Sequence, residues 1–180
     1  MTRALDWTDR ATCVLFGDGA GAAVIEAGGD SPLAVELSTA SDVETLRVPG
    51  LVGTSPFKAS VDSESVLSMN GRRVFKFGVN AICDTVHKLA SDAGISVEDI
   101  DHFVFHQANE RILSQAVKRL GVPGERVVRT LRETGNISSA CIPFALDRLA
   151  RTNALNAGDT IALVGFGAGL DIGGYLLRWK

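Results

Sequence analysis

The residues best suited to chemistry are a histidine and an asparagine, each placed at the edge of a predicted structural element. His106 ends an apolar run over 103–105 and opens the polar string His-Gln-Ala-Asn. Asn136 lies in a second polar string that leads into a predicted helix. Polar side chains that follow a strand and precede a helix are where α/β proteins bind ligands. Both residues are therefore candidates for substrate binding, beside the competing interpretations of a structural histidine and an N-cap or turn asparagine.

The cysteines and the other histidines are weaker candidates for catalysis or ligand binding. Cys13 and Cys83 have apolar neighbours and are expected in the core. Cys141 lies near a helix N-terminus, where a thiolate would be stabilised, but the apolar residues that follow it favour packing. His87 is expected on the polar side of a helix, and His102 at the surface where a strand begins. The three cysteines and three histidines lack metal-ligand spacing, so no metal site is predicted.

Two glycine-rich strings suggest close backbone approaches. Residues 17–22 formally match the dinucleotide pattern GxGxxA, but that pattern requires a helix to begin there. The residues that follow, 23–25, are Ala-Val-Ile and predict a strand, so this string is interpreted as a tight turn between two strands. The second string, 165–169, lies between apolar strands and is longer than a hairpin requires. It could bring backbone N–H groups close to a ligand.

Strands and helices alternate after residue 70, which predicts a layered α/β domain. The helices are expected from Val74 to Gly94, over 109–120 and over 138–151, with a single turn capped by Ser96 and Asp99. Pro143 should distort the first turns of the third helix. The strands are expected at 11–16, 22–26, 33–37, 102–105, 126–129, 159–164 and 172–179. Residues 38–65 are polar and predict a long surface loop.

Composition limits the class of protein. Eighteen lysines and arginines against 21 aspartates and glutamates give a net charge of −3, which argues against a protein that coats nucleic acid. Hydrophobic residues make up 46% of the chain, enough for a packed core. The sparse cysteines indicate a reducing compartment, and the sequence contains no apolar run of membrane-spanning length. We expect a soluble, cytoplasmic protein with neither nucleic acid nor membrane as a partner.

Taken together, His106 and Asn136 give the chain a family resemblance. It resembles the C-terminal part of a β-ketoacyl-acyl-carrier-protein synthase III, a condensing enzyme of the thiolase superfamily. The matching strings occur in the family's order and extend over almost the whole chain: FGDGAGAAV (16–24), MNGRRVFKF (69–77), HQANERI (106–112), GNISSACIP (135–143) and GFGAGLDIGG (165–174).

The resemblance implies a role for His106 and Asn136 in a Cys-His-Asn catalytic set. In the family, the cysteine carries an acyl group as a thioester. The histidine and asparagine donate hydrogen bonds to the oxygen of a malonyl thioester, and so stabilise the enolate formed when CO2 leaves. The activity implied is decarboxylative Claisen condensation of an acyl-CoA starter with malonyl-acyl carrier protein, in fatty acid or related polyketide synthesis.

The resemblance also implies the remainder of the site. Ala168 stands at the glycine whose N–H contributes to a second oxyanion hole. Asn109, Gly71 and Phe166 match positions that contact the substrate or its CoA arm. The stripe Ile112, Leu113 and Ala116 is expected to face inward, so Arg111 and Lys118 should face outward from the helix over 109–120. Arg111 matches an arginine linked to docking in the family, and with Lys118 it is expected to dock the acidic carrier protein. No resident cofactor is implied, because acyl-CoA and malonyl-acyl carrier protein bring their own phosphopantetheine.

The sequence departs from the family at three places. No residue matches the nucleophilic cysteine, which lies in the family's N-terminal half, so we expect it on a segment outside these residues. Arg72 stands where some members have asparagine. Asp171 and Ile172 replace a more usual Thr-Trp pair, so the family's selectivity for the acyl group or for CoA does not carry over to this chain.

The fold implied is thiolase-like: a C-terminal α-β-α half together with the last strands of the N-terminal half. The predicted divisions are 1–37 for the N-terminal tail, 38–68 for a connecting region and 69–180 for the C-terminal half. The expected partners are the carrier protein and a Cys-bearing half, in a homo- or hetero-oligomer. Two alternatives remain: a non-catalytic half that completes a heteromeric enzyme, or a module that binds or hydrolyses acyl thioesters with His106 as the base.

Overall fold

The computed structural model describes residues 1–25, 27–47 and 66–180. The α-helices are α1 (Arg10–Cys13), α2 (Gly71–Ala93), α3 (Glu110–Leu120), α4 (Leu131–Thr134) and α5 (Cys141–Arg151). The strands are β1 (Ala34–Thr39), β2 (Leu46–Arg47), β3 (Ser68–Met69), β4 (His102–Phe105), β5 (Thr160–Gly167) and β6 (Asp171–Arg178). Short 3-10 helices lie at Thr2–Ala4, Val97–Asp99, Gly124–Arg126 and Ser138–Ala140.

A four-stranded mixed sheet forms the middle layer, in the order β1-β6-β5-β4. Strands β4 and β5 are parallel, and the other two pairings are antiparallel. Side chains alternate along β5, as a strand's geometry requires. Ala162 and Val164 pack with α2 and α3 on one face, whereas Ile161 packs with α5 on the other. The result is the α-β-α arrangement expected from the sequence.

Helix α2 confirms the longest periodic pattern in the sequence. Its stripe at Val79, Ile82, Val86 and Leu89 is buried against the sheet and α3. The helix begins three residues before the predicted start, because the Asn70 side chain accepts a hydrogen bond from the Arg73 N–H at 3.1 Å. Gly94 ends it with a φ of 68°, a left-handed conformation that glycine adopts without steric cost.

The predicted ends of α3 and the predicted turn at Ser96 are also confirmed by their caps. The Asn109 carboxamide oxygen accepts the Arg111 N–H at 2.8 Å at the start of α3, and Gly121 ends that helix. The Asp99 carboxylate accepts from the backbone and the hydroxyl of Ser96 at 2.9 and 2.7 Å. Ahead of α5, which contains Pro143 in its first turn, the predicted helix begins as the 3-10 turn Ser138–Ala140.

Three predicted strands are wrong. Residues 11–16 form most of α1 and a turn, and only Phe16 makes a bridge, to Asn136. Residues 22–25 form no strand, and residue 26 lies outside the described residues. Residues 126–129 reduce to a single bridge between Val127 and Phe103. An apolar run indicates burial, but a strand also needs a neighbour along its length, and these segments lack one within the described chain.

The predicted glycine loop at 165–169 is also shorter than expected. Strand β5 continues through Gly167, which pairs with Asp171 at the start of β6. The connecting turn is therefore confined to 168–170. Of the predicted loop over 38–65, residues 48–65 lie outside the described residues.

Strand β1 crosses the predicted boundary at residue 37. It pairs along its whole length with β6, so residues 34–39 belong to the same sheet as the C-terminal strands. The division of the chain at 37 and 68 stays a prediction. Among the described residues, none of the helices is both long enough and apolar enough to cross a membrane.

Candidate functional site

A cavity of about 1100 Å³ opens beside the C-terminal end of β4 and the turn after β5. All the residues that the sequence assigned to a site line this cavity: His106, Asn136, Ala168, Asn109, Gly71, Phe166, Arg111 and Lys118. They come from α2, α3, β5 and three connecting segments, spread over almost a hundred positions of the chain. The fold therefore brings together residues that are distant in sequence.

His106 is held at the first position after β4. Its backbone N–H donates to the Val164 carbonyl oxygen at 2.8 Å, which continues the parallel pairing of β4 with β5. Its imidazole meets the Phe166 ring edge-on, with centroids 5.1 Å apart and planes at 82°. Burial lowers the pKa of His106 to about 4. At neutral pH the ring is therefore uncharged, and one ring nitrogen carries a hydrogen that can be donated.

Asn136 is held from both sides by backbone hydrogen bonds to the N-terminal segment. Its N–H donates to the Leu15 carbonyl at 2.9 Å, and its carbonyl accepts from Gly17 at 3.0 Å. Its carboxamide oxygen accepts the Ser138 N–H at 2.9 Å. Because that oxygen is engaged, the NH2 end is the free end, and it makes no hydrogen bond within the described residues. The side chain can therefore donate into the cavity that it lines.

The glycines of the string 17–22 allow the N-terminal segment to lie directly against the residues around Asn136. A Cβ at Gly17 would overlap the Thr134 carbonyl, one at Gly19 would lie 2.7 Å from Ile137, and one at Gly21 would lie 2.5 Å from Pro143. The three glycines alternate along the chain, so the same side of this segment packs against the residues around Asn136. The predicted tight turn between strands is therefore wrong, and the glycines allow two backbones to pack directly.

The mouth of the cavity carries positive charge. Arg72, Arg111 and Lys118 line it, and none of them forms an ion pair within the described part of the chain. Arg73, the neighbour of Arg72, instead lies 3.9 Å from the Asp42 carboxylate. The exposed position of Arg111 confirms the outward orientation predicted from the helix stripe. Three cations that have no ion-pair partner among the described residues favour an anionic group at this entrance.

None of the three cysteines is among the residues that line the cavity. Cys13, Cys83 and Cys141 are all buried, as expected. Burial raises the pKa of the Cys141 thiol, so its position near a helix N-terminus does not make it a thiolate. His87 is exposed, as expected, but His102 is largely enclosed and lies 3.1 Å from Asp159. Among residues 1–25, 27–47 and 66–180, no group of three His, Cys, Asp or Glu side chains could hold a metal ion.

Sequence reasoning missed three residues at or beside the site. The apolar wall of the cavity includes Leu15 and Phe16, which the sequence placed in a buried strand. Gln107 received no role, although its side chain is fully buried and hydrogen-bonded beside His106. A fully buried glutamine is unusual, but only its place in the motif, between two candidate site residues, could have singled it out.

Comparisons with known proteins agree with the geometry. The C-terminal domain of 3-oxoacyl-[acyl-carrier-protein] synthase III matches residues 90–179, and a second domain of that enzyme matches residues 1–42. The β-ketoacyl-[acyl-carrier-protein] synthase III of Clostridium acetobutylicum is 42% identical over 183 residues, which cover 99% of this chain and 56% of the relative. The chain thus spans about half the length of the curated relatives it matches.

Solved structures show the same fold. The 3-oxoacyl-(acyl carrier protein) synthase III of Pseudomonas aeruginosa superposes with a TM-score of 0.83 and is 35% identical, covering 99% of this chain and 55% of its own. The enzyme of the same name from Aquifex aeolicus superposes with a TM-score of 0.85 and is 33% identical, covering 98% and 54%. The thiolase-like α/β fold is thereby confirmed. The chain belongs to the 3-oxoacyl-[acyl-carrier-protein] synthase III family.

Proposed function

We propose that this chain supplies the enolate-stabilising part of a condensing enzyme's active site. The enzyme joins an acyl group taken from acyl-CoA to a malonyl group on acyl carrier protein. The observation that carries the proposal is the convergence of two uncharged hydrogen-bond donors, His106 and Asn136, on one cavity. The match of the chain to enzymes named for this synthesis supports it.

The chemistry proceeds in two stages. A cysteine thiolate attacks the acyl-CoA carbonyl and releases CoA, which leaves an acyl thioester on the enzyme. The malonyl thioester then loses CO2, and the electron pair of the broken C–C bond forms an enolate whose oxygen carries the charge. His106 and Asn136 donate to that oxygen, as an oxyanion hole does. The enolate carbon attacks the acyl thioester, and the cysteine thiolate leaves.

The remaining cavity residues have supporting roles in this proposal. The Ala168 N–H donates to the oxyanion of the acyl thioester during the second attack. Asn109, Gly71 and Phe166 contact the substrate and its phosphopantetheine arm. The nucleophilic cysteine comes from a segment outside these 180 residues, and the assembled enzyme is an oligomer. A hydrolytic module with His106 as general base is less favoured, because a pKa of about 4 makes that imidazole a weak base.

The missing nucleophile gives the first test. The 180-residue chain, incubated with radiolabelled acyl-CoA, should take up no label and release no CO2 from malonyl-acyl carrier protein. Supplying a Cys-bearing N-terminal segment of a relative should restore condensation. Label on the isolated chain that disappears in Cys141→Ala would show that the chain carries its own nucleophile. If the chain associates with the Cys-bearing segment but the complex releases no CO2, the chain is a non-catalytic half.

Carrier-protein docking gives a second test, at the cavity mouth. Arg111→Glu should raise the Michaelis constant for malonyl-acyl carrier protein about tenfold at low salt, because a rim charge mainly steers the encounter with an acidic partner. The difference should shrink in high salt, and the use of acyl-CoA should change little. Lys118→Glu should act in the same direction, since both cations line the same mouth.

The matched control is Arg178→Glu, which reverses an exposed charge at the opposite end of the sheet. This variant should leave both Michaelis constants unchanged. Equal losses with both substrates in Arg111→Glu would indicate a folding defect, and no loss with the carrier protein would leave Arg111 as an ordinary solvated side chain.

A further inference from the structure

Gln107 makes an unusually complete set of hydrogen bonds for a buried side chain. It is fully buried immediately after His106. Its amide nitrogen donates to the carbonyl oxygens of Phe105 at 2.9 Å and Val128 at 3.1 Å, and its amide oxygen accepts the Thr130 N–H at 3.1 Å. Both amide hydrogens are therefore used. Gln107 itself is not among the residues that line the cavity.

The two bonds to the 128–130 segment have the pattern of a strand pairing. In a parallel ladder, a peptide donates to the residue before its partner and accepts from the residue after it. The Gln107 amide donates to Val128 and accepts from Thr130 in this way. The same segment already pairs with β4 one step earlier, where Val128 N–H donates to the Phe103 carbonyl at 3.0 Å. The side chain therefore extends the ladder after the backbone of β4 has turned away toward α3.

This extension reaches the residues that hold Asn136. The Thr130 carbonyl accepts from the Glu133 and Thr134 N–H groups at 3.0 and 3.2 Å, which begins α4, and Asn136 follows two residues after that helix. The backbone carbonyl of Gln107 also lies 3.9 Å from the Cys141 sulfur, which lies 3.8 Å from the carboxamide oxygen of Asn136. Gln107 is thus connected to Asn136 by two routes and to His106 by one peptide bond.

We propose that Gln107 is a positioning residue that sets the distance and orientation between His106 and Asn136. The inference rests on the proposed function for its consequence in catalysis, but its geometric content does not depend on any substrate. Two donors must reach one oxygen at the same time, so a small displacement of either weakens both interactions. Along the backbone, His106 and Asn136 are thirty positions apart. The Gln107 amide, in contrast, connects the segments that support them directly through hydrogen bonds.

The test replaces Gln107 with methionine, which has a similar length but no amide. In the isotope-labelled chain, NMR should show the His106 pKa rising from about 4 by roughly one unit, because a loosened end of β4 admits water. The side-chain NH2 signals of Asn136 should move as well. In the assembled enzyme, kcat for malonyl thioester decarboxylation should fall about tenfold with KM unchanged, because Gln107 does not touch the substrate.

The control must lose comparable buried hydrogen bonds away from the site. Thr160→Val does so at the first residue of β5, where the Thr160 hydroxyl bonds to the Asp99 carbonyl and the Asp101 carboxylate, both at 2.9 Å. We expect it to lower stability while leaving the His106 titration and the Asn136 signals unchanged. If Gln107→Met does not fold, Gln107→Asn serves instead, because its amide stays uncharged but is too short to reach Phe105, Val128 and Thr130 together.

The proposal is overturned if a folded Gln107 variant leaves the His106 pKa and the Asn136 signals where they are in the unmodified chain. It is also overturned if Thr160→Val shifts both to the same extent, since a general loss of stability would then explain them. Should the NMR shifts appear while the unmodified assembly releases no CO2, the positioning role stands and the proposed function fails. The two ideas are therefore separable.

Discussion

Replacing either His106 or Asn136 with alanine should lower the rate of malonyl thioester decarboxylation in the assembled enzyme by about 100- to 1000-fold. The loss of one donor from an oxyanion site typically has this effect, since negative charge develops on an oxygen that both groups contact. Acyl transfer from acyl-CoA to the nucleophilic cysteine should continue, because neither donor serves that step in the proposed mechanism. The measurement is CO2 release beside the amount of labelled acyl-enzyme.

Two further variants sharpen this result. Asn136→Asp keeps the shape of the side chain but replaces its free NH2 with a second acceptor oxygen, so it should be at least as slow as the alanine variant. His87→Ala removes an exposed histidine from α2 and should retain full activity. The double alanine variant should lose less than the product of the single losses, because both donors act on one oxygen. Normal CO2 release by either single variant would contradict the assignment of these donors.

The stability of the chain should decrease by up to about 3 kcal/mol as the pH falls from 6.5 toward 4, because His106 resists protonation in the folded state. An unfolded histidine binds a proton near pH 6.5, whereas burial lowers the pKa of the folded His106 to about 4. Above pH 6.5 both states are neutral and the contribution is complete. Between the two values the unfolded chain binds the additional proton, so unfolding becomes easier as the solution becomes more acidic.

Urea unfolding at several pH values between about 4.5 and 7 would measure this effect. In His106→Gln the dependence should largely disappear over that range, while His87→Gln should retain it. Hydrogen bonds lower the pKa values of Asp18 and Asp42 from the ordinary aspartate value of 3.8, so their contribution falls mainly below this range. Equal slopes for the unmodified chain and His106→Gln would show that burial does not keep this histidine neutral.

Helices and their ends could be predicted from the sequence because their determinants are local. The stripe at Val79, Ile82, Val86 and Leu89 defines the buried face of α2, and Gly94 ends it within a few residues of that stripe. Asn109 begins α3 by accepting a hydrogen bond from a residue two positions away. Interactions at this range are visible in the order of residues alone.

Motifs also indicated which residues form the candidate site. The eight residues that sequence analysis assigned to the site line a single cavity. Their types are set by chemistry that the site requires, namely hydrogen-bond donors, a backbone N–H and surface cations. The identities of these residues can be predicted from the motifs, whereas the distances between their side chains cannot.

Tertiary structure alone decided which segments pair with which. Residues 11–16 have the composition of a buried strand, yet within the described residues their strand pairing is limited to one bridge, between Phe16 and Asn136. Gly17, Gly19 and Gly21 have the pattern of a nucleotide loop or a turn, and their real function is to let that backbone approach. The roles of these residues, and of Gln107 beside His106, depend on neighbours more than 20 positions away. Pairing across such distances depends on the packing of the whole chain, which no local pattern of residues specifies.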